Sequence, residues 1–130
     1  MKSQFKEQFI DLTVPISGDI RTTKSELTYY SEIAKAYIIV PIGMKTDLGS
    51  IPQILQNIFP KDGKAMFGYV LHDYLYKSGK YSQSMSDDIL EEAMEVLGVI
   101  YWRRKAVRVG LGVGGFVAYN NYRNGKKETK

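Results

Sequence analysis

Cysteine is absent from this chain of 130 residues. Disulfide staples and thiolate metal sites are therefore excluded, and nothing requires an oxidising compartment. Histidine occurs once, as His72, so any imidazole chemistry must run through a single residue. No signal peptide is expected: the stretch Met1-Lys2-Ser3-Gln4-Phe5-Lys6-Glu7-Gln8 lacks the hydrophobic core of one. The uncharged run Val109–Asn121 is too short and too glycine-rich for a spanning helix, so no transmembrane segment is expected. A cytoplasmic protein is the default expectation.

What is present suffices for a folded domain. Hydrophobic residues make up 44% of the chain, which is enough to bury a core and argues against disorder. The length fits one domain, placed at residues 1–122, with a basic tail over 123–130. Charge is unevenly spread. Residues 1–100 carry 10 basic and 13 acidic side chains, whereas residues 101–130 carry 8 basic and 1 acidic. Arg103, Arg104, Lys105 and Arg108 form the denser part of that basic end. It suits a small anionic ligand or peripheral contact with an anionic membrane, and nucleic acid ranks below these. A solvated helix face is the alternative.

The first part of the chain reads as β. Phe9–Val14 alternates loosely before Pro15, while Glu26–Ser31 and Ala36–Val40 are rich in β-branched and aromatic residues and are expected to pair as a hairpin. After Gly43 the pattern turns helical. Ser50 with Pro52 and Gln53 predicts a short helix through Phe59, followed by helices over 64–77 and 84–97 and a basic helix from about Tyr101. The expected fold is α+β: an N-terminal antiparallel hairpin or small sheet packed on a bundle of about four helices.

The helix over 64–77 is apolar nearly all round, which predicts burial. His72 and Asp73 lie inside it, and buried ionisable groups need partners. In the next helix Asp88, Glu91, Glu92 and Glu95 are expected to face water. Asp87 instead falls on the apolar stripe with Leu90, Met94 and Leu97. A helical hairpin closed by the loop 79–83 brings Asp87 to within roughly one helical turn of His72 along the axis. An imidazole held by a carboxylate is what a general base requires. Asp73 points about 100° away, towards Asp47 in the segment Thr46–Ser50. Two carboxylates with loop carbonyls would suit a hard divalent cation such as calcium. Three structural alternatives stand beside this reading. His72 is a satisfied core histidine, Asp87 closes a capping box with Ser84, and Asp47 holds a turn. Gly110–Gly115 matches the spacing G-x-G-x-x-G but lacks the strand–turn–helix context and a downstream acid, so no dinucleotide site is assigned.

The blocks Val40-Pro41-Ile42-Gly43-Met44-Lys45-Thr46-Asp47-Leu48-Gly49-Ser50-Ile51-Pro52, Leu71-His72-Asp73-Tyr74-Leu75-Tyr76, Ser86-Asp87, Ala93-Met94, Gly98 and Trp102-Arg103-Arg104 resemble, in order, the phage- and prophage-associated domain-of-unknown-function family 1353. The resemblance extends from about Ser25 to Asn120, with Gly49 and Ser86 standing where alanine is usual. It implies a viral or prophage protein acting in the cytoplasm of the infected host cell. His72-Asp73 followed by Tyr76, answered by Asp87 on a partner helix, is also similar to the helix pair of phospholipase A2 enzymes. That likeness implies His72 as base, Asp87 as its orienter, Tyr76 in support and Asp73 as a calcium ligand, although the family's glycine-rich calcium loop and disulfides are missing.

Three functions follow as expectations. The first is a metal-assisted hydrolase, with the candidate catalytic set His72, Asp87 and Tyr76 and a cation on Asp47 and Asp73. The second is a counter-defence protein that binds a small anionic ligand or nucleotide through Arg103, Arg104 and Ser50. The third is a structural or morphogenesis protein without catalysis.

Overall fold

Tyr29 and Tyr37 sit on facing strands of the hairpin that the sequence predicts. In the computed structural model, which describes residues 1–13, 15, 20–47 and 65–124 (backbone alone at 47, 65 and 112–118), strand β3 (Leu27–Ser31) pairs antiparallel with β4 (Ala36–Val40). The register runs from Leu27 opposite Val40 to Ser31 opposite Ala36. Alternation decides the two faces. Leu27, Tyr29, Ile38 and Val40 are buried, while Tyr37 and Ile39 point to solvent. Lys35 turns the chain with φ 53°, and Ser31 Oγ accepts from Ala34 N at 3.1 Å inside that turn.

Three further strands are short. β1 (Gln4–Phe5) adds to the free side of β3, giving a sheet of order β1-β3-β4. β2 (Ile20–Thr22) pairs antiparallel with β5 (Lys45–Asp47) in a separate two-stranded sheet. Thr23 extends that pairing: its backbone N donates to Met44 O at 2.9 Å, and its buried hydroxyl donates to Pro41 O at 2.7 Å. Two expectations change here. The segment Phe9–Val14 makes only the isolated bridge Leu12–Thr23 as β pairing among its described residues; Ile10 and Leu12 pack against the edge of the core, while Phe9 is exposed. Residues 45–47 form a strand rather than opening a loop, since their partner lies more than twenty residues back, at Ile20–Thr22.

Three helices follow among the described residues. These are α1 (Ala65–Ser78), α2 (Gln83–Val96) and α3 (Tyr101–Arg123). The predicted helix from Ser50 to Phe59 lies outside the described residues, as does the tail beyond Asn124. The α+β class and the helical half of the fold follow the expectation. α1 buries Tyr69, Val70, Leu71, Leu75 and Tyr76 against the sheet and against Ile89, Leu90, Ala93 and Met94 of α2. Gly68 permits the close approach of those two helices, because a Cβ there would stand 3.3 Å from Leu90 Cδ1. Val107 and Leu111 of α3 close the core.

Helix ends set the position of the site. Gly79 takes φ +67° after α1, the left-handed conformation that ends helices and that glycine adopts without strain. Ser82 then caps α2, its Oγ accepting from Met85 N at 3.1 Å. The helix therefore starts earlier than predicted, and Ser84 is not its cap. Asp87 lies beyond the reach of a capping box and is free to face inward. Glu92, expected to face water, instead accepts from Tyr29 Oη at 2.9 Å, Ser31 Oγ at 2.8 Å and Ile33 N at 3.0 Å. One carboxylate thus pins the hairpin to α2. Gly110–Gly115 lies within α3, which removes any phosphate-cradling turn there. Among the described residues, no helix is long and apolar enough to cross a membrane.

A buried His72–Asp87–Tyr76 cluster as the candidate functional site

His72 and Tyr76 occupy successive turns of α1, four residues apart and so on one face. Their rings are in contact, with centroids 4.0 Å apart and planes tilted by 51°. Asp87, from the second turn of α2, meets both. His72 Nε2 lies 3.0 Å from Asp87 Oδ1, and Tyr76 Oη donates to the same oxygen at 2.6 Å. The three residues are 4%, 3% and 1% exposed. Tyr119 of α3 stands edge-on to Tyr76, with centroids 5.3 Å apart and planes at 87°, and its hydroxyl donates to Tyr81 O at 2.9 Å.

A buried carboxylate needs positive charge close by. Arg108 of α3 supplies it, with Nη1 3.7 Å from Asp87 Oδ2. At that separation the contact is electrostatic rather than a hydrogen bond. The guanidinium is fixed by Asp88 Oδ1 at 2.8 Å and by Ser84 Oγ at 3.2 Å. Its hydrogen bond to Asp88, with the charges of Asp88 and Asp87, holds its pKa above the usual arginine value. Burial, reinforced by the hydrogen bond to Asp87 and that residue's charge, pushes the Tyr76 phenol well above the ordinary tyrosine range. Tyr76 is therefore a neutral, permanent donor.

The His72 tautomer depends on the charge of Asp87 and takes one form for the ionised carboxylate. An ionised carboxylate only accepts hydrogen bonds. Asp87 Oδ1 thus requires a proton on His72 Nε2, and the neutral ring keeps its lone pair on Nδ1. The cluster has the parts of an oriented general base: an imidazole, a carboxylate that stabilises the imidazolium formed when Nδ1 takes a proton, and, holding the carboxylate, the hydroxyl donor of Tyr76 and the nearby charge of Arg108.

Asp73 leaves this cluster, as the helical turn demands. Its Oδ1 accepts from Tyr122 Oη at 3.4 Å, and its Oδ2 lies 3.4 Å from Lys77 Nζ. Lys77 also donates to the carbonyl of Lys45 in β5, two residues before Asp47. The backbone of Asp47 pairs with Ile20, and its side chain and Ser50 lie outside the described residues. Among the described residues, no three His, Cys, Asp or Glu side chains converge as metal ligands do. Lys77 brings positive charge to Asp73.

Arg103 and Arg104 do not join the cluster. They lie in the first turn of α3, with Arg103 over the Trp102 ring at 5.4 Å and Arg104 over Tyr101 at 5.5 Å. The arginine that reaches Asp87 is Arg108, which the basic run Arg103–Arg108 disguises as one more solvent-facing charge. Its place between Val107 and Leu111, the buried residues of that face, is the signal that marks it.

The fold is thus an α+β domain with a His–Asp–Tyr cluster enclosed between two of its helices. The pattern of the family described as "Protein of unknown function (DUF1353)" matches residues 22–110, and the chain belongs to that family. That span takes in all of His72, Tyr76, Asp87 and Arg108. No curated protein and no solved structure matches the chain.

Proposed function

We propose that this protein is a hydrolase-like enzyme of phage or prophage origin, acting in the cytoplasm of the host cell. In it His72 is the general base, and Asp87 and Tyr76 are its positioning residues. One observation carries the reading: the 3.0 Å contact between His72 Nε2 and Asp87 Oδ1, in a site that is nearly closed to water. Low dielectric strengthens that contact, and the carboxylate stabilises the imidazolium at the moment it forms. The phage assignment rests on the resemblance of the motif blocks, and the hydrolase assignment on the similarity of the helix pair to phospholipase A2. A divalent cation on Asp73 and Asp47 would have to displace Lys77 from Asp73, so no step is routed through a metal.

The test is hydrolysis of p-nitrophenyl esters and of phospholipid vesicles by the full chain. Turnover above buffer is expected, reduced about 10²–10⁴-fold in His72→Ala, with Asp87→Asn also impaired and circular dichroism unchanged. Full activity in His72→Ala, or none in the wild type on either substrate class, would overturn the reading. The burial of all three residues favours one rival, a purely structural cluster. Under that rival, the variant His72→Gln loses stability but no measurable function.

A further inference from the structure

Strand β4 is the outer strand of its sheet, and its far edge has no partner strand among the described residues. The register decides which backbone groups that edge leaves open. Thr28 turns its polar backbone away from β4: its O accepts from Lys6 N at 2.9 Å, and its N donates to Glu7 Oε1 at 2.6 Å. Alternate residues of an antiparallel ladder face alternate sides, so Leu27, Tyr29 and Ser31 are the residues bonded to Val40, Ile38 and Ala36. The N–H and C=O groups of Tyr37 and Ile39 therefore point to the open edge. Both side chains are exposed, at 56% and 47%, and Ala36–Gly43 holds no charged residue. Pro41 stands after the last residue of the strand, so neither a charge, a proline nor a bulge blunts the edge within it. Beside the edge lies a groove of about 130 Å³ lined by Tyr37, Ile38, Ile39, Tyr74, Lys80 and Tyr81. It has room for one branched aliphatic side chain. Lys80 is its one cation, is exposed, and meets no acid in the lining.

We infer that the open edge of β4 docks an extended peptide segment of a partner protein, one that carries an aliphatic side chain and a carboxylate two residues apart. The backbone groups of Tyr37 and Ile39 call for a strand, since a peptide laid antiparallel exchanges N–H and C=O with both residues. Paired residues point to the same face of a sheet, so the peptide residue opposite Ile38 enters the groove beside Tyr74 and Tyr81. The residue two positions away shares that face, where Lys80 supplies the charge that selects an acid. On the other face the peptide covers Tyr37 and Ile39. A second copy of the chain fits less well. Pairing β4 with β4 about a two-fold axis at Ile38 satisfies the backbone, but Ile38 is 3% exposed and committed to its own core, so it cannot fill the groove of its partner. The same axis sets the two Lys80 side chains on one face of the joint sheet as like charges. This edge is separate from the His72 cluster, and the inference does not rest on the chemistry there.

The probe is the fluorescein-labelled peptide Ser-Thr-Val-Thr-Leu-Thr-Glu-Thr-Ser, titrated with the full chain and followed by anisotropy. Saturable binding is expected, weakened about tenfold or more by Lys80→Glu and by Ile39→Pro. Lys80 is exposed, and Ile39→Pro deletes an N–H that faces the open edge rather than β3, so both variants keep the fold, as circular dichroism verifies. On the wild-type chain, N-methylation of alternate peptide amides should abolish binding, and exchanging the glutamate for lysine should shift the preference to Lys80→Glu. No saturable binding overturns the inference. So does equal binding of the N-methylated peptide, or undiminished binding by both variants, since the contact then lies away from the edge. A dimeric mass in ultracentrifugation that Ile39→Pro reverts to the monomer assigns the edge to a second copy and overturns it as well.

Discussion

Tyr76→Phe removes one hydroxyl and leaves the ring that packs on His72 and Tyr119. The hydroxyl lies 2.6 Å from Asp87 Oδ1, and Tyr76 is 3% exposed, so water cannot replace the lost donor. Hydrogen bonds to charged groups are worth about 1.5–3 kcal/mol, and neutral ones about half of that. Asp87 keeps His72 on Oδ1 and Arg108 beside Oδ2, so the carboxylate is weakened rather than orphaned. A loss of about 2 kcal/mol is therefore expected. Urea unfolding followed by circular dichroism measures it. With a slope of about 1.5 kcal/mol per molar, the midpoint falls by roughly 1.3 M. The loss should shrink by about half in an Asp87→Asn background, where the charged acceptor is gone, and the cycle thereby isolates the pair. A midpoint shift below about 0.3 M, or an equal loss in both backgrounds, would refute the hydrogen-bond assignment.

Two other outcomes follow from the buried polar groups. Burial lifts the phenols of Tyr29, Tyr69 and Tyr76 well above the tyrosine range, with Glu92 adding to the effect at Tyr29 and Asp87 at Tyr76. Their folded values exceed the unfolded value near 10, so the neutral phenols favour the fold fully below about pH 10. That contribution is lost as the pH rises further, by up to about 1.4 kcal/mol per phenol and pH unit. Tyrosinate absorbance should show at least three of the ten tyrosines ionising only as the protein unfolds. Complete ionisation with the fold intact would contradict their burial. Glu92→Gln replaces a carboxylate that accepts from Tyr29, Ser31 and Ile33. Its new amide meets donors it cannot satisfy, at a cost of about 2–3 kcal/mol or a Tm lower by roughly 10 °C. A change under about 2 °C in a thermal melt would show that Glu92 does not anchor the hairpin.

The parts of the fold legible in the sequence are those whose signal is local. Leu27–Ser31 and Ala36–Val40 carry β-branched and aromatic residues in alternation, and the helices carry a sustained 3.6-residue period. Asp87 was recoverable as a partner of His72 because two helices joined by a short loop fix the axial offset, and an acid on an apolar stripe must find a donor. The strands at 4–5, 20–22 and 45–47 were not, because two or three residues show no period and their pairing partners lie far along the chain. Glu92 misled for a related reason. On the α2 wheel it lies with the solvent-facing acids, and only the neighbouring hairpin turn converts that side into an anchoring site. Arg108 was hidden among cations. What distinguishes it is the depth of the carboxylate opposite, which is a property of three packed helices rather than of α3 alone.

The central claim is that His72 donates through Nε2 to an ionised Asp87 and keeps a basic lone pair on Nδ1. Because His72 is the only histidine, ¹⁵N-labelled imidazole gives one pair of ring signals by NMR, and the tautomer is read directly from their shifts. The account predicts the Nε2–H tautomer in the neutral ring, giving way to a mixture or to the other tautomer in Asp87→Asn. A neutral ring protonated on Nδ1 in the wild-type protein would contradict it, since Asp87 would then have to carry the proton and His72 could not serve as the oriented base.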